Sequence, residues 1–568
     1  MMNNGMKNTM GDKIASVLEY SIVFPNEPKP DVDDVIMHMS RHTIINLVLV
    51  LTELYSRADI SQIARFFSNK TALTEIYSRI FRNCDPNQEY IFLPLQTALR
   101  ILRRAVALPY IAEDRLSSET ELDLFRVILY INEQEVKVDN MPQRLAEMFF
   151  VQSLVTYTSN ATMAFHKERA LLQAYASFEF FKFIEAKIIE DIKLKQIYDA
   201  FLQQYGIACG LDYIQTLFGI CAMGKMKVGR IPSSNNDPDH ILSRSLIDAL
   251  SLDLMSHISD DSNRGRENNA DYRTFRNKPL ISDNNGDKVV YWMEALIDRM
   301  YNSLYFDFID INQRLQLNYP IRELFTNDFA EKHLFQGLMH RANGQSLYKT
   351  KYNTTERENG KADYVLTRNN TTILFECKDM KIPGEIVESH DARLILDEYK
   401  NKLHKETYVT RHGGNREPTR NPRSKGVGQL IEYRKQVRNG DSYYEVDRDN
   451  TIYPVLVLLD SKLLQRGFQQ IADGWYEERA EKNVNDKSLI VMSFITLIKS
   501  YPLFAKNGFE HYFERYRNFI SSIQNPINLQ KYMTFDDYME AFGESMGIDE
   551  LRNEFIDALT QHYKQKKH

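Results

Sequence analysis

Asp363, Glu376 and Lys378 are the residues of this sequence whose types and spacing could do chemistry together. They sit in two β-rich runs, Ala362-Asp363-Tyr364-Val365-Leu366-Thr367-Arg368 and Thr371-Thr372-Ile373-Leu374-Phe375-Glu376-Cys377-Lys378, with only Asn369-Asn370 between them. Two such runs around a polar pair read as a hairpin, because asparagine tolerates the positive φ that a two-residue turn needs. Counting outward from that turn puts Asp363 opposite Glu376. Opposed residues carry their β-carbons roughly 5 Å apart, and the two-residue period of a strand puts Lys378 on the face of Glu376. Two carboxylates this close raise each other's pKa unless a cation lies between them. Hard oxygen ligands of this kind suit Mg2+ or Mn2+. The expected chemistry is a divalent metal held by carboxylates beside an amine.

The pattern D-x12-E-x-K on a hairpin resembles the PD-(D/E)XK nuclease superfamily, the restriction-endonuclease-like fold. The resemblance implies that Asp363 and Glu376 bind the metal and that Lys378 orients or activates the attacking water. Ala362 stands where the family name has proline, and Gly360 three residues before Asp363 resembles the G-x-x-D form of the RecB-like branch. It also implies a core that runs helix, three strands, helix, strand.

The flanking sequence offers those elements in that order. Thr326, Asn327 and Asp328 are candidate N-caps for a helix over 329–342, on which Glu331, Phe335, Leu338 and Ala342 share one face. A carboxylate on an apolar face is costly unless it is paired or ligates a metal. The resemblance places a supplementary acid here, which assigns Glu331 as a third metal ligand, with Glu323 the alternative if the helix begins earlier. A first strand is expected over 346–352 and a closing strand over 453–459. Gly428 opens a helix on which Gln429 and Tyr433 lie at i, i+4. This pair resembles the Q-x3-Y element of RecB-like nucleases, which implies contact with the nucleic-acid strand; the plain alternative is a core tyrosine and a capping glutamine. Between 399 and 438 there are eleven Lys or Arg against three acids, a local balance of +8. Such a segment would neutralise phosphates and release counterions, so Arg420, Arg423 and Lys425 join Gln429 and Tyr433 as expected nucleic-acid contacts.

The rest of the chain sets the frame. Its 568 residues are 43% hydrophobic and 26% charged with a net charge of -6, which excludes overall disorder and leaves any polyanion site to be local. The longest apolar runs, 44–51 and 489–498, fall short of the roughly 20 residues that cross a bilayer. Met1 to Lys13 has no apolar stretch typical of a secretory leader, so a cytoplasmic protein is expected. Cys84, Cys209, Cys221 and Cys377 lie too far apart in sequence for a zinc ribbon or a disulfide framework.

From about 13 to 225 apolar residues recur at helical spacing; 230–239 and 259–287 read as linkers or long loops; strand-like segments begin near 327. The expected fold class is multidomain, all-α followed by α/β. Its parts are a helical region over 1–225, a linker with connecting helices over 226–320, a nuclease-like mixed-sheet unit over 321–520 and a helical segment over 521–568. Gly219 to Met226 fits G-x4-G-K but has Met226 where a P-loop needs Ser or Thr, and no strand precedes it. Asp460-x-Lys462 ends an apolar strand but lacks the hairpin, and Asp379-x-Lys381 is a further chance match.

The resemblance implies a Mg2+-dependent deoxyribonuclease with nucleic acid, chiefly DNA, as partner, and with a protein partner or a second copy engaged through the helical region. Large helical regions on this fold are associated with bacterial restriction and anti-phage defence. The alternative is a nucleic-acid-binding or assembly component whose nuclease-like unit only grips.

Overall fold

A five-stranded mixed sheet forms the centre of the C-terminal half, with strands β1 (Lys349–Tyr352), β2 (Tyr364–Arg368), β3 (Thr371–Lys378), β4 (Thr451–Leu458) and β5 (Ile490–Ser493) in the order β5-β4-β3-β2-β1. The structure is a computed structural model that describes residues 16–567 apart from 40–62, 67–68, 87, 89, 110–117, 161–162, 224–229, 232–241, 260–271, 283–285, 345–346, 353–359, 411–415, 442, 479–483 and 543–546. β1, β2 and β3 pair antiparallel, while β4 runs parallel to both β3 and β5.

The apolar character of β3 and β4 follows from this position, because these central strands are covered by a core on each face. Ile373, Phe375 and Cys377 face one core, where Phe335 and Phe509 pack around Phe375 with ring centroids 6.4 and 5.3 Å away. Leu374 and Leu456 face the other, beneath Tyr399 and Leu430. The first of these cores is continuous from Ala170 through the sheet to Leu559. Packing therefore crosses the expected boundaries at 225, 320 and 520.

The hairpin register is the one read from the sequence, with Tyr364 opposite Phe375 and Arg368 opposite Thr371. The turn differs: Asn369 takes φ 50°, but Asn370 does not join it in the left-handed region. The Asn370 carbonyl instead accepts from Thr451 N at 2.7 Å, which ties the turn to the start of β4. Gly360 takes φ 87°, a conformation that side chains rarely adopt, where the chain enters β2.

The helix before the sheet departs further from expectation. It does not start at 326–328 but follows Pro320, with an Ile321–Glu323 turn, a π-helical stretch Leu324–Phe335 and an α-helical end Gln336–Ala342. Proline at the N-cap marks its start. Thr326 lies inside it, with its hydroxyl donating to Arg322 O at 2.8 Å. Glu323 is exposed and Glu331 half-buried. The first sheet strand begins at Lys349, later than expected.

Within 226–320, Leu280–Ser282 and Lys288–Val290 are strands of a small four-stranded sheet with Arg230–Ile231 and Ser251–Leu252, so this interval is more than linker. Most of the two loops expected there lies outside the described residues. Residues 16–223 are dominated by helices, the longest of them Met163–Lys187, with only two two-residue strands, Ser16–Val17 and Tyr90–Ile91, among the described residues. Gly219 and Cys221 lie within the helix Gly210–Met223, so the G-x4-G-K segment has no strand-loop geometry before 224. Among the described residues no helix is long and apolar enough to cross a membrane.

Candidate active site

β2 and β3 bring Asp363 and Glu376 together at the end of the hairpin remote from its turn. Asp363 N donates to Phe375 O at 3.1 Å, and the Asp363 carboxylate accepts from Cys377 N at 2.8 Å. The side chain is thereby locked against β3. Glu376 is fully buried, and neither of its oxygens makes a hydrogen bond of regular geometry. Its close partner is the Lys378 ammonium, two residues along on the same face.

Burial pushes the Glu376 carboxyl well above the usual range, with Asp363 adding to the rise and Lys378 opposing it. Asp363 is raised by burial and relieved by Lys378 and the Cys377 amide. Burial alone would lower Lys378, but Glu376, Asp363 and Glu331 together hold it well above its ordinary value. Three carboxylates and one ammonium leave this pocket two negative charges in excess when all are ionised.

Glu331 reaches the same place from the helix on the opposite face of the sheet. Its carboxyl is pushed up to about 7, first by burial and then by Asp363 and Asp379, with Lys378 lowering it. The wider turn of the π-helical stretch carries this residue, and such departures from α-geometry are frequent at functional sites. Asp379, which the sequence pattern put aside as part of a chance D-x-K, is a neighbour that motif reading missed. One of its oxygens pairs with Lys381 Nζ at 3.3 Å, and the signal that could have found it is its adjacency to Lys378.

The other side of the pocket comes from the helix Val427–Arg438. Its N-terminus approaches the chain so closely that a β-carbon on Gly428 would lie 2.2 Å from His404 O, which requires glycine there. Gln429 serves two partners: its carbonyl oxygen accepts from Gly426 N at 3.0 Å, and its amide donates to the Tyr433 hydroxyl at 2.9 Å. Tyr433 is buried, and its hydroxyl is raised by burial and by the nearby charges of Glu376 and Asp363. The Q-x3-Y pair therefore abuts the carboxylates, while also filling the capping and core roles of the plain alternative.

The basic segment is no loose loop. It forms a two-stranded arm, Lys405–Thr410 against Arg416–Ser424. Its base is held by the buried Asn401 side chain, which accepts from Thr407 N at 2.8 Å and donates to Tyr408 O at 2.9 Å. Arg423 is exposed on the second strand, Lys425 lies 3.5 Å from Glu406, and Arg420 is on the same strand with its side chain outside the described residues. Part of the +8 is compensated internally: Arg434 and Arg438 both pair with Asp486, and Arg434 is buried. Of the segment's described basic side chains, Arg423 on the arm and Lys400 and Lys435 outside it are exposed.

Beyond the ends of β3 and β4 lies a second charged network. Asp298 pairs with the buried Arg169 and with Lys462 Nζ at 2.7 Å, and Asn302 links Asp298 to Lys381 at 3.0 and 3.2 Å. Asp460 caps the short turn Ser461–Leu463, accepting from Lys462 N at 3.1 Å. Asp460-x-Lys462 is thus spent on structure. Compared with protein-family models, curated proteins and solved structures, the chain matches none.

Proposed function

We propose that this chain is a metal-dependent nuclease that hydrolyses phosphodiester bonds, with DNA the first substrate class to test. The observation that carries the reading is the convergence of Asp363, Glu376, Lys378 and Glu331 at one end of a mixed sheet, in which a helix precedes three antiparallel strands and the helix Val427–Arg438 precedes β4. Fully buried carboxylate oxygens without regular hydrogen bonds, in a pocket of excess negative charge, are a donor set that fits a hard divalent cation.

Asp363, Glu376 and Glu331 would hold Mg2+ or Mn2+, which when bound supplies Lewis acidity toward a phosphoryl oxygen and acidifies coordinated water. Lys378 stays an ammonium in this field, so its role is to donate: it orients the attacking water and balances charge developing on the phosphate. Tyr433, braced by Gln429, lines the pocket beside Glu376 and Asp363. Arg423, Lys425 and Arg420 on the arm would grip the backbone of the strand without reading its bases.

The test is incubation with linear, circular and single-stranded DNA and with RNA, with and without Mg2+ or Mn2+. Cleavage that needs the metal and disappears in Glu376→Ala is expected. Cleavage that survives both chelation and Glu376→Ala overturns the reading.

A further inference from the structure

Outside the hairpin pocket, Cys209, Asp212 and His562 bring one ligand atom each together, all within 4.8 Å of one another. Cys209 immediately precedes the helix Gly210–Met223, Asp212 is buried in its first turn, and His562 belongs to the C-terminal helix Gly547–Lys567. His562 Nε2 lies 2.7 Å from Asp212 Oδ1 and 3.8 Å from Cys209 Sγ. The second Asp212 oxygen accepts from Ala208 N at 3.0 Å, which fixes the carboxylate's direction.

Two readings compete for this cluster. In a nucleophilic relay the cysteine and the carboxylate address different ring nitrogens, so that the imidazole passes a proton between them. Here both approach the same nitrogen, Nε2, which is the arrangement of three donors around one acceptor. Zn–S of about 2.3 Å and Zn–N or Zn–O of about 2.1 Å give tetrahedral edges of roughly 3.6 Å for S···N and 3.4 Å for N···O. Cys209 Sγ is already close to such a spacing from His562 Nε2, and the Asp212 oxygen needs to move away from that nitrogen by about 0.7 Å.

We propose that Cys209, Asp212 and His562 form a zinc site that clamps the C-terminal helix to the helical layer, with water at the fourth position. A thiolate and an imidazole select a borderline-soft ion over Mg2+, so this metal differs in class from the one proposed at the hairpin. The site stands independently of the nuclease reading. The helix it would hold is already seated by Phe555 between Phe178 and Phe218, with ring centroids 5.7 and 5.5 Å away. Glu554 of the same helix meets Arg341 at 3.1 Å, on the α-helical end that continues from the stretch bearing Glu331.

The full chain, stripped of metal and titrated with Zn2+, is expected to bind one equivalent that Cys209→Ser and His562→Ala each lose and that Asp363→Ala retains. Co2+ in its place should give a thiolate-to-metal charge-transfer band in the near ultraviolet, absent from Cys209→Ser. Should either variant fail to fold, alkylation of Cys209 in the parent chain decides: saturating Zn2+ is expected to slow it at least about tenfold. Equal Zn2+ stoichiometry in parent and variants, or alkylation of Cys209 indifferent to Zn2+, overturns the proposal.

Discussion

Replacing Glu376 by glutamine should make the protein more stable without metal and less stable with it. In the metal-free pocket Glu376 gains from Lys378 and loses against Asp363. At an effective dielectric near 20, unit charges about 4 Å apart interact by about 4 kcal/mol and those about 5 Å apart by about 3 kcal/mol. The attraction and the repulsion therefore nearly cancel. What remains is the burial of a charge with no regular hydrogen bond, which costs several kcal/mol. A buried amide with incomplete partners costs about 1–3 kcal/mol. Glu376→Gln is thus expected to gain about 1–2 kcal/mol in chelator. At a metal concentration about 100 times its Kd the parent gains about 2.7 kcal/mol by mass action, which the variant largely forgoes. The two stability curves should cross as Mg2+ or Mn2+ is added. Urea or thermal unfolding of both proteins across a metal titration measures this. A variant less stable than the parent in chelator, with a parent indifferent to metal, would refute the reasoning: the cluster would then be a self-sufficient ion network.

Lys378→Met should keep nucleic-acid affinity while lowering the cleavage rate by at least about 100-fold, because a donor aimed at developing charge is removed from a site that still binds; binding and single-turnover cleavage measured side by side check it. Arg423→Ala combined with Lys425→Ala should reduce the salt dependence of duplex binding, log K against log salt, by about 1.8, roughly 0.9 per lost phosphate contact, with the single-turnover rate at saturation unchanged; an unaltered slope places the nucleic acid elsewhere. Asp536 is half-buried beside Ser493, whose amide donates to it at 3.0 Å, and desolvation pushes its carboxyl up to about 6. The native state then holds the proton more tightly than the unfolded chain, so stability falls as pH rises from about 4 to about 6 and the cost persists above. Asp536→Asn, which lacks this titration, should gain on the parent by about 1–3 kcal/mol between pH 4.5 and pH 8; a constant difference in unfolding midpoint across that range contradicts the assignment.

The sequence determined the hairpin. A two-residue polar turn between alternating strands leaves one register, and Asp363, Glu376 and Lys378 share a face as a consequence of the strand period alone. It also determined that Gln429 and Tyr433 lie together, since residues four apart on a helix are neighbours. Both results depend on local geometry. The start of the helix bearing Glu331 is not legible in the sequence, because Thr326, Asn327 and Asp328 are good caps in isolation, and only the packing of Leu324 and Phe325 into the core makes helix continuation through them favourable. Which of the eleven basic residues reach solvent was equally hidden, for Asp486, the partner that takes Arg438 and Arg434, arrives from 48 and 52 residues away. Cys209 and Asp212 carried no signal until the C-terminal helix delivered His562 across 353 residues. Spacing in a sequence specifies what a strand or a helix brings together by its own period; what two distant elements bring together is decided by the shared core on which both are packed.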